Sequence, residues 1–383
     1  MFNVAIYGTE NFSAIIKELV EKQYNCVVSS VGGEGLRVIA FWDVSASQDP
    51  VKDDLPVLNL LQIKALYKLG IINGIIVPRE LIVGQNGLIQ TLLYNGIETQ
   101  DIYITERIIG KEITGNQWMT FLRPYLSTKY LPYLEFHIAD QCNLNCKACE
   151  HYSGLVDKPA YPVFNQFVRD FQKLHDYICD IGVIRILGGE PLLNKEIEEY
   201  VKLARDLYPD SIIYIVTNGI LLKQMPEHFY QTLRETNTRI HISFYLPLED
   251  KMPEILEFLK KREVVFELSP LMHEFEMKQT LQKKEHPEYF FRCFQSRCHN
   301  LYDGKIAACF LPFTTKYFNR YFNKNLPEDG AIDLYTPGLT TEIIKAHLLQ
   351  PFERCCYCRD AIMVDWAQIK KPSDLSDWLV EEN

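Results

Sequence analysis

No stretch of the 383 residues approaches the roughly 18–20 consecutive apolar residues needed to span a bilayer, so no membrane partner is expected. The N-terminal Met-Phe-Asn-Val-Ala-Ile-Tyr-Gly lacks a basic segment followed by an apolar one, which argues against a secretory signal and for a cytoplasmic protein. Positive charge is short as well. Forty Lys and Arg against 50 Asp and Glu leave a net charge of −10, which excludes a general affinity for nucleic acid or an anionic membrane. Low-complexity segments and solenoid repeats are absent. Charged residues make up 23% and hydrophobic ones 47%, the values of a folded chain, and the length allows two or three domains.

What the sequence has is cysteine. Eleven are present, and in a cytosolic chain they read as metal or redox ligands rather than disulfides. Only Cys26 and Cys179 stand alone. Three form Cys142-Asn-Leu-Asn-Cys146-Lys-Ala-Cys149, and six lie between Cys293 and Cys358. Three thiolates at the first spacing can cap three corners of a cubane iron–sulfur cluster and leave one iron open. They can also be part of a zinc site with His151 as fourth ligand, or be structural thiols.

The first hundred residues alternate strands and helices. Strands are expected at Val4–Tyr7, Val38–Trp42, Ile75–Val77 and Ile102–Ile104, with helices at Ser13–Glu21, Leu60–Leu69 and Leu88–Tyr94. This order predicts a Rossmann-like parallel sheet over residues 1–112. The glycine fingerprint of a dinucleotide site is missing after Gly8, and Glu10 would repel a pyrophosphate. Gly8 and Asp43 are therefore weak ligand candidates, and a docking or substrate-presenting role is favoured. The order of elements loosely resembles small N-terminal domains on sugar-modifying enzymes of surface-glycan pathways.

A connecting stretch follows, with the linker placed at residues 113–130. The βα alternation then resumes. Strands are expected at Leu134–Ala139, Val183–Leu187, Ile212–Val216, Ile240–Tyr245 and Val264–Leu268. Helices are expected at Phe164–Ile178, Lys195–Leu207, Phe229–Glu235 and Pro253–Lys261. The first strand runs into the cysteine loop, the second ends in Gly188-Gly189-Glu190-Pro191 and the third in Thr217-Asn218-Gly219. All three motifs thus lie at the C-terminal edge of a parallel sheet, the edge that carries chemistry in barrel-like folds.

In this order and combination the motifs resemble the radical S-adenosylmethionine (SAM) enzymes over roughly Leu131–Leu268. The resemblance implies a partial (β/α)6 barrel over residues 131–272. It also implies a [4Fe-4S] cluster on Cys142, Cys146 and Cys149, with SAM on the open iron. Gly188 and Gly189 would let the sulfonium ligand approach, Glu190 would pair with its ammonium, and Asn218 would bond the ribose. Ser243 and Tyr245 would reach the carboxylate or ribose, although a buried structural hydroxyl explains Ser243 equally well. The implied chemistry is one-electron cleavage of SAM to methionine and a 5′-deoxyadenosyl radical, which abstracts hydrogen from a substrate. A reductase, flavodoxin or ferredoxin would supply the electron. Many members have an aromatic residue just before the third cysteine. Here it is Ala148, so any adenine stacking must come from elsewhere. In this context His151 reads as a loop residue rather than a ligand.

The late cysteines resemble the auxiliary-cluster regions called twitch and SPASM. A hairpin is expected at Asp303-Gly304, before Cys309. Cys355 and Cys358 form a CxxC pair. Residues 273–383 are thus expected to be a small α+β twitch-like region with one auxiliary [4Fe-4S] cluster. Cys293, Cys298, Cys309, Cys355 and Cys358 compete for four ligand places, and Cys356 is left over. A zinc ribbon is the alternative. The implied substrate is a sugar or related small molecule undergoing dehydrogenation or epimerisation. Peptide maturation and a non-catalytic metal-binding or electron-transfer role are the rivals. Tyr152, His273 and Glu274 are pocket candidates by position alone.

Overall fold

Short β-branched and aromatic runs, separated by amphipathic stretches, build the first sheet. The computed structural model describes residues 2–8, 13–18, 20–21, 36–44, 51–83, 87–105, 122–285 and 287–380. Among these, β1 (Phe2–Tyr7), β2 (Leu36–Trp42), β3 (Val51–Lys52), β4 (Leu55–Leu58), β5 (Gly74–Val77), β6 (Ile102–Thr105) and β7 (Leu122–Pro124) stand in the order β3-β4-β2-β1-β5-β6-β7. β1 pairs in parallel with β2 and β5, and β5 with β6, while β7 runs antiparallel to β6. Helix Leu60–Lys68 starts at Asn59, whose side chain accepts the Gln62 N–H while the Gln62 side chain accepts the Asn59 N–H. Leu122–Pro124, expected in a connecting stretch, is an edge strand of this sheet. Glu10, Cys26 and residues 113–121 of the expected linker lie outside the described residues.

Residues 1–128 make one compact unit and residues 129–383 a second. The second contains β8 (Tyr130–Ala139), β9 (Asp180–Gly188), β10 (Ile212–Thr217), β11 (Thr238–Ile242), β12 (Phe266–Leu268), β13 (Glu274–Gln279), β14 (Asn300–Tyr302), β15 (Lys305–Ala307), β16 (Ala331–Asp333) and β17 (Cys358–Asp365). Its main sheet has the order β12-β11-β10-β9-β8-β14-β15-β16. The strands from β12 to β14 are mutually parallel. The expected hairpin is β14–β15, and it extends the parallel sheet at β8. β13 and β17 form a separate antiparallel pair.

In β8 every residue but Pro132 is buried, the mark of a strand covered on both faces. Helices Phe164–Tyr177, Ile197–Leu207, Glu227–Glu235 and Met252–Lys261 cover one face. Each buries a stripe at helical spacing, as Ile197, Tyr200, Val201 and Ala204 do in the second. They meet Leu134, Phe136, Ile138, Ile184, Ile186, Ile213, Ile215, Ile240 and Ile242 of the strands. Phe136 is central, with ring centroids 4.7 Å from Phe167 and 5.4 Å from Phe171. Truncating such a ring to alanine costs about 3–5 kcal/mol. The alternating residues, including Glu135, His137, Arg185, Leu187, Tyr214, Val216, Arg239 and His241, belong to the opposite face.

The fourth strand ends at Ile242, not at Tyr245. Beyond Ile242 the regular ladder stops: Ser243 N–H still bonds Thr217 O at 2.9 Å, Phe244 N–H turns to the Ser269 hydroxyl, also at 2.9 Å, and only an isolated parallel bridge joins Tyr245 to Met272.

Candidate active site

The loops leaving β8, β9, β10 and β11 open at one edge of the sheet and enclose a cavity. Its walls carry Cys142, Cys146 and Cys149 together with Gly188, Gly189, Asn218, Ser243 and Tyr245. Burial pushes the Cys142 thiol up to about 12, with Glu190 and Cys149 adding to the effect. Burial raises Cys146 and Cys149 in the same direction, and Cys146 feels both other thiols. Three neighbouring, desolvated thiols suit a cationic partner, because a coordinating thiol gives up its proton outright. Two polar wall atoms, Asn145 Oδ1 and His151 Nε2, are buried with no hydrogen-bond partner among the described residues, as expected of a cavity built for a polar occupant. Among the described residues no three His, Cys, Asp or Glu side chains converge on one metal-ion position. A four-iron cluster takes each thiolate at its own corner, so its ligands need no common point. The residues present therefore fit a cluster with three cysteine ligands and a polar ligand on the remaining iron.

The glycines are needed for a reason the motif alone does not show. Gly188 has φ +146°, and a Cβ there would lie 2.0 Å from Ala139 O. A Cβ on Gly189 would lie 2.3 Å from Gln141 O. The end of β9 thus packs directly on the entry to the cysteine loop, joined by Gly189 N–H to Ala139 O at 2.7 Å and Glu190 N–H to Gln141 O at 3.0 Å.

Glu190 is fully buried and does not line the cavity. Its carboxylate accepts the Asn218 N–H at 2.9 Å, the Thr217 hydroxyl at 2.7 Å and the Leu192 N–H at 3.1 Å. Burial nevertheless raises it to about 7. The expected ammonium partner is thus turned to the backbone of the next strand end. Asn218 does line the cavity, but its amide donates to Asn143 Oδ1 at 2.7 Å and accepts the Ile220 N–H at 3.0 Å. It holds the cysteine loop against β10.

Ser243 and Tyr245 both reach the wall. The Tyr245 ring meets Phe275 of β13 edge-on at 5.5 Å and stacks near Trp366 at 6.3 Å. Phe275 also lines the cavity, so aromatic surface is present although Ala148 is not aromatic. Ala148 itself packs with Met277, Phe275, Val364 and Val380. Neither Phe275 nor Trp366 is signalled by the sequence, since one lies on β13 and the other just beyond β17, both about 100 residues or more beyond the loop.

A further brace comes from the C-terminal segment. Asn145 Nδ2 donates to Ile369 O at 2.6 Å, Ile369 N–H to Asn145 O at 2.9 Å, Lys147 N–H to Ala367 O at 2.8 Å and Ala148 N–H to Asp377 O at 2.8 Å. His151 lines the cavity, with its ring 4.8 Å from His137 and 4.1 Å from Phe310. Tyr152 lies in a separate core, accepting from Arg354 at 3.2 Å. His273 and Glu274 are not on the cavity wall.

A second pocket gathers Cys293, Cys309, Cys355 and Cys358 with Glu150, Lys278, Gln279, Tyr289 and Gln295. Burial raises all four thiols, Cys293 to about 11; Cys293, Cys309 and Cys355 each sense others of the set, while Arg354 and Lys278 oppose the rise at Cys358. Buried Lys278 stands on the wall, and buried Arg354 reaches it through Gln279 Oε1 at 2.6 Å, which also takes Cys358 Sγ at 3.6 Å. Four thiols beside two cations fit an anionic thiolate cluster. Cys298 points elsewhere. Its Sγ donates to Phe294 O at 3.7 Å, and it packs with Tyr133, Val183 and Tyr214. Cys356 is buried but off the wall, and Cys179 is exposed.

Below the first cavity, the sheet face turned away from the helices is polar. Arg185 lies over both Tyr133 and Tyr214, at 5.8 and 5.6 Å. Tyr214 donates to Glu267 Oε1 at 2.6 Å and accepts from Arg239 at 3.3 Å. His241 stands beside Glu267 at 3.8 Å.

Compared with known proteins, residues 136–269 match the model of the radical SAM superfamily. A GTP 3′,8-cyclase of Sulfurovum sp. (strain NBC37-1) is 30% identical over 139 residues, 35% of this chain and 39% of that protein. A 7,8-dihydro-6-hydroxymethylpterin dimethyltransferase of Methanocaldococcus jannaschii is 31% identical over 108 residues, 28% of this chain and 21% of that protein. The chain thus spans about two fifths or less of the length of these curated relatives. The structure of BtrN in complex with AdoMet and 2-DOIA is similar at 17% identity and a TM-score of 0.34, over 49% of this chain and 75% of that one.

Proposed function

The chain carries a radical SAM domain, and we propose that the whole protein is a radical SAM enzyme acting on a small, hydroxyl-rich molecule of sugar type, by dehydrogenation or epimerisation. The observation that carries the reading is the single cavity that joins Cys142, Cys146 and Cys149 to the ends of β9, β10 and β11. When bound, a [4Fe-4S] cluster supplies the electron that cleaves SAM to methionine and a 5′-deoxyadenosyl radical, which takes hydrogen from the substrate.

The chain's own residues do the positioning. Cys142, Cys146 and Cys149 hold the cluster. Tyr245 and Phe275 offer the aromatic wall for the adenine, in place of an aromatic residue at 148. Ser243 and His151 supply polar contacts. Gly188 and Gly189 line the wall and Glu190 stands one layer back, and all three fix the loop on the strand ends. The sheet would then be a partial (β/α)6 barrel, and residues 1–112 a Rossmann-like docking domain.

The row of Arg185, Tyr214, Arg239, His241 and Glu267 supports a small polar substrate, since it offers donors and acceptors of the kind that read hydroxyls. The names of the curated relatives refer to small molecules, GTP and a pterin, rather than peptides. Cys293, Cys309, Cys355 and Cys358 hold an auxiliary [4Fe-4S] cluster in this reading, and Cys298 does not. A flavodoxin- or ferredoxin-type protein supplies electrons.

The test is anaerobic reconstitution, reduction with dithionite and a screen of sugars and sugar nucleotides reading out 5′-deoxyadenosine. Substrate-dependent 5′-deoxyadenosine that disappears in Cys142→Ala is the expected result. No SAM cleavage under any condition would leave a metal-binding or electron-carrying scaffold, and cleavage stimulated only by peptides would move the substrate class.

A further inference from the structure

One ion pair stands between the two cysteine sites. Glu150 directly follows Cys149, and its Oε1 lies 2.8 Å from Lys278 Nζ. The Lys278 side chain is only 2% exposed. Its ammonium also donates to Gln295 Oε1, and Gln295 Nε2 donates to the other oxygen of Glu150. Gln295 Oε1 in turn lies 3.5 Å from Cys293 Sγ. Lys278, Glu150, Gln295 and Cys293 all line the second pocket, while Cys149 lines the first. Glu276, half exposed, is a second and weaker partner of Lys278 at 3.2 Å.

A buried ammonium is costly unless it is paired. Here it is paired with a carboxylate and set against four thiols. Four thiolates on a dicationic cubane leave the unit dianionic, and one-electron reduction makes it trianionic. A fixed cation on the wall stabilises the reduced form more than the oxidised one, and a fixed anion does the opposite. Burial keeps both effects from being screened by solvent.

We propose that Lys278 sets the electron affinity of a cluster held by Cys293, Cys309, Cys355 and Cys358, and that Glu150, from the loop of the other cysteine site, opposes it. The proposal rests on the reading that these four cysteines hold a cluster. The electron enters from an external reductant, dithionite in the test, and no proton or covalent bond is exchanged. Lys278 and Glu150 are positioning residues for charge and do not touch the reacting atoms.

The test is a redox titration of the anaerobic full-length protein, followed by electron paramagnetic resonance at pH 9. A background with Cys142, Cys146 and Cys149 replaced by serine leaves the second signal alone. Lys278→Met is expected to make reduction at least tenfold less favourable, about 59 mV more negative for one electron. Glu150→Gln is expected to move the potential the other way, and Lys278→Arg to stay near the parent. Shifts of the two in the same direction, or no shift in either, overturn the proposal. If Lys278→Met loses its cluster, the sign of the Glu150→Gln shift decides by itself. Iron analysis keeps the underlying reading separate. A Cys309→Ser chain that retains the full iron content and signal overturns the cluster assignment itself.

Discussion

The Glu190 carboxylate and the Asn218 backbone N–H are 2.9 Å apart, and this bond ties the end of β9 to the end of β10 beside the cysteine loop. The Thr217 hydroxyl and the Leu192 N–H converge on the same carboxylate. Glu190→Ala strips the acceptor from three buried donors. Leaving even one buried donor unpaired costs about 1–3 kcal/mol, so a loss of at least about 2 kcal/mol is expected by chemical denaturation. Glu190→Gln keeps one acceptor oxygen and should lose less. Equal stability of Glu190→Ala and the parent would refute the role.

Gly188→Ala puts a methyl 2.0 Å from Ala139 O at a φ of +146° that L-residues rarely adopt. The clash is with backbone, so the strand end must move. A loss of more than about 3 kcal/mol is expected, with failure to incorporate iron into the first site. Iron analysis against the parent checks it, and a stable, fully loaded Gly188→Ala chain would contradict the packing described.

Asn145→Ala removes the side-chain bond to Ile369 O, which holds the C-terminal segment on the cysteine loop. The expected cost is about 1 kcal/mol, the ordinary worth of one hydrogen bond. Faster hydrogen exchange is expected at the amides of Lys147 and Ile369, which pair across the same seam. Unchanged exchange there, with a faster rate elsewhere, would count against a local brace.

His299 is buried where β14 joins β8, and its carbonyl accepts the Glu135 N–H at 2.7 Å. Burial pushes its imidazole down to about 4. The Ala308 backbone opposes the shift and Lys345 adds to it. The folded value lies below the ordinary one near 6.5, so the folded state binds fewer protons. Stability is therefore complete above about pH 6.5 and is lost as pH falls toward 4. By pH 5 the loss is about 2 kcal/mol, at about 1.4 kcal/mol per pH unit. His299→Leu should remove that acid-dependent step. Urea midpoints at pH 7.5 and 5.0, for parent and variant, measure it, and parallel losses in both would exclude His299 as the source.

Much of the central sheet was legible because its signals are local. Apolar runs of strand length, helical stripes such as Phe167, Phe171 and Leu174, and turn motifs after each strand all lie within a few residues of what they specify. The roles of Glu190 and Asn218 were harder to read. A motif shows that a carboxylate is present but not that three donors from neighbouring strand ends meet it. Cys293 and Cys298 could not be separated by spacing, because the short turn Phe294–Arg297 sends one thiol to the pocket and the other behind β8–β10. The pair β13–β17, which brings Phe275 and Trp366 to Tyr245, joins segments some 80 residues apart and left no periodic trace.

The hydrogen bond from Asn145 to Ile369 spans 224 positions of the chain. On a ribosome adding about 5–20 residues per second, the loop residue emerges roughly 10–45 s before the segment that pins it exists. Through that interval the loop has only its contacts with the ends of β9 and β10. A cluster held by this loop would therefore gain this brace only once Ile369 has been made, and a chain ending before that residue would lack it.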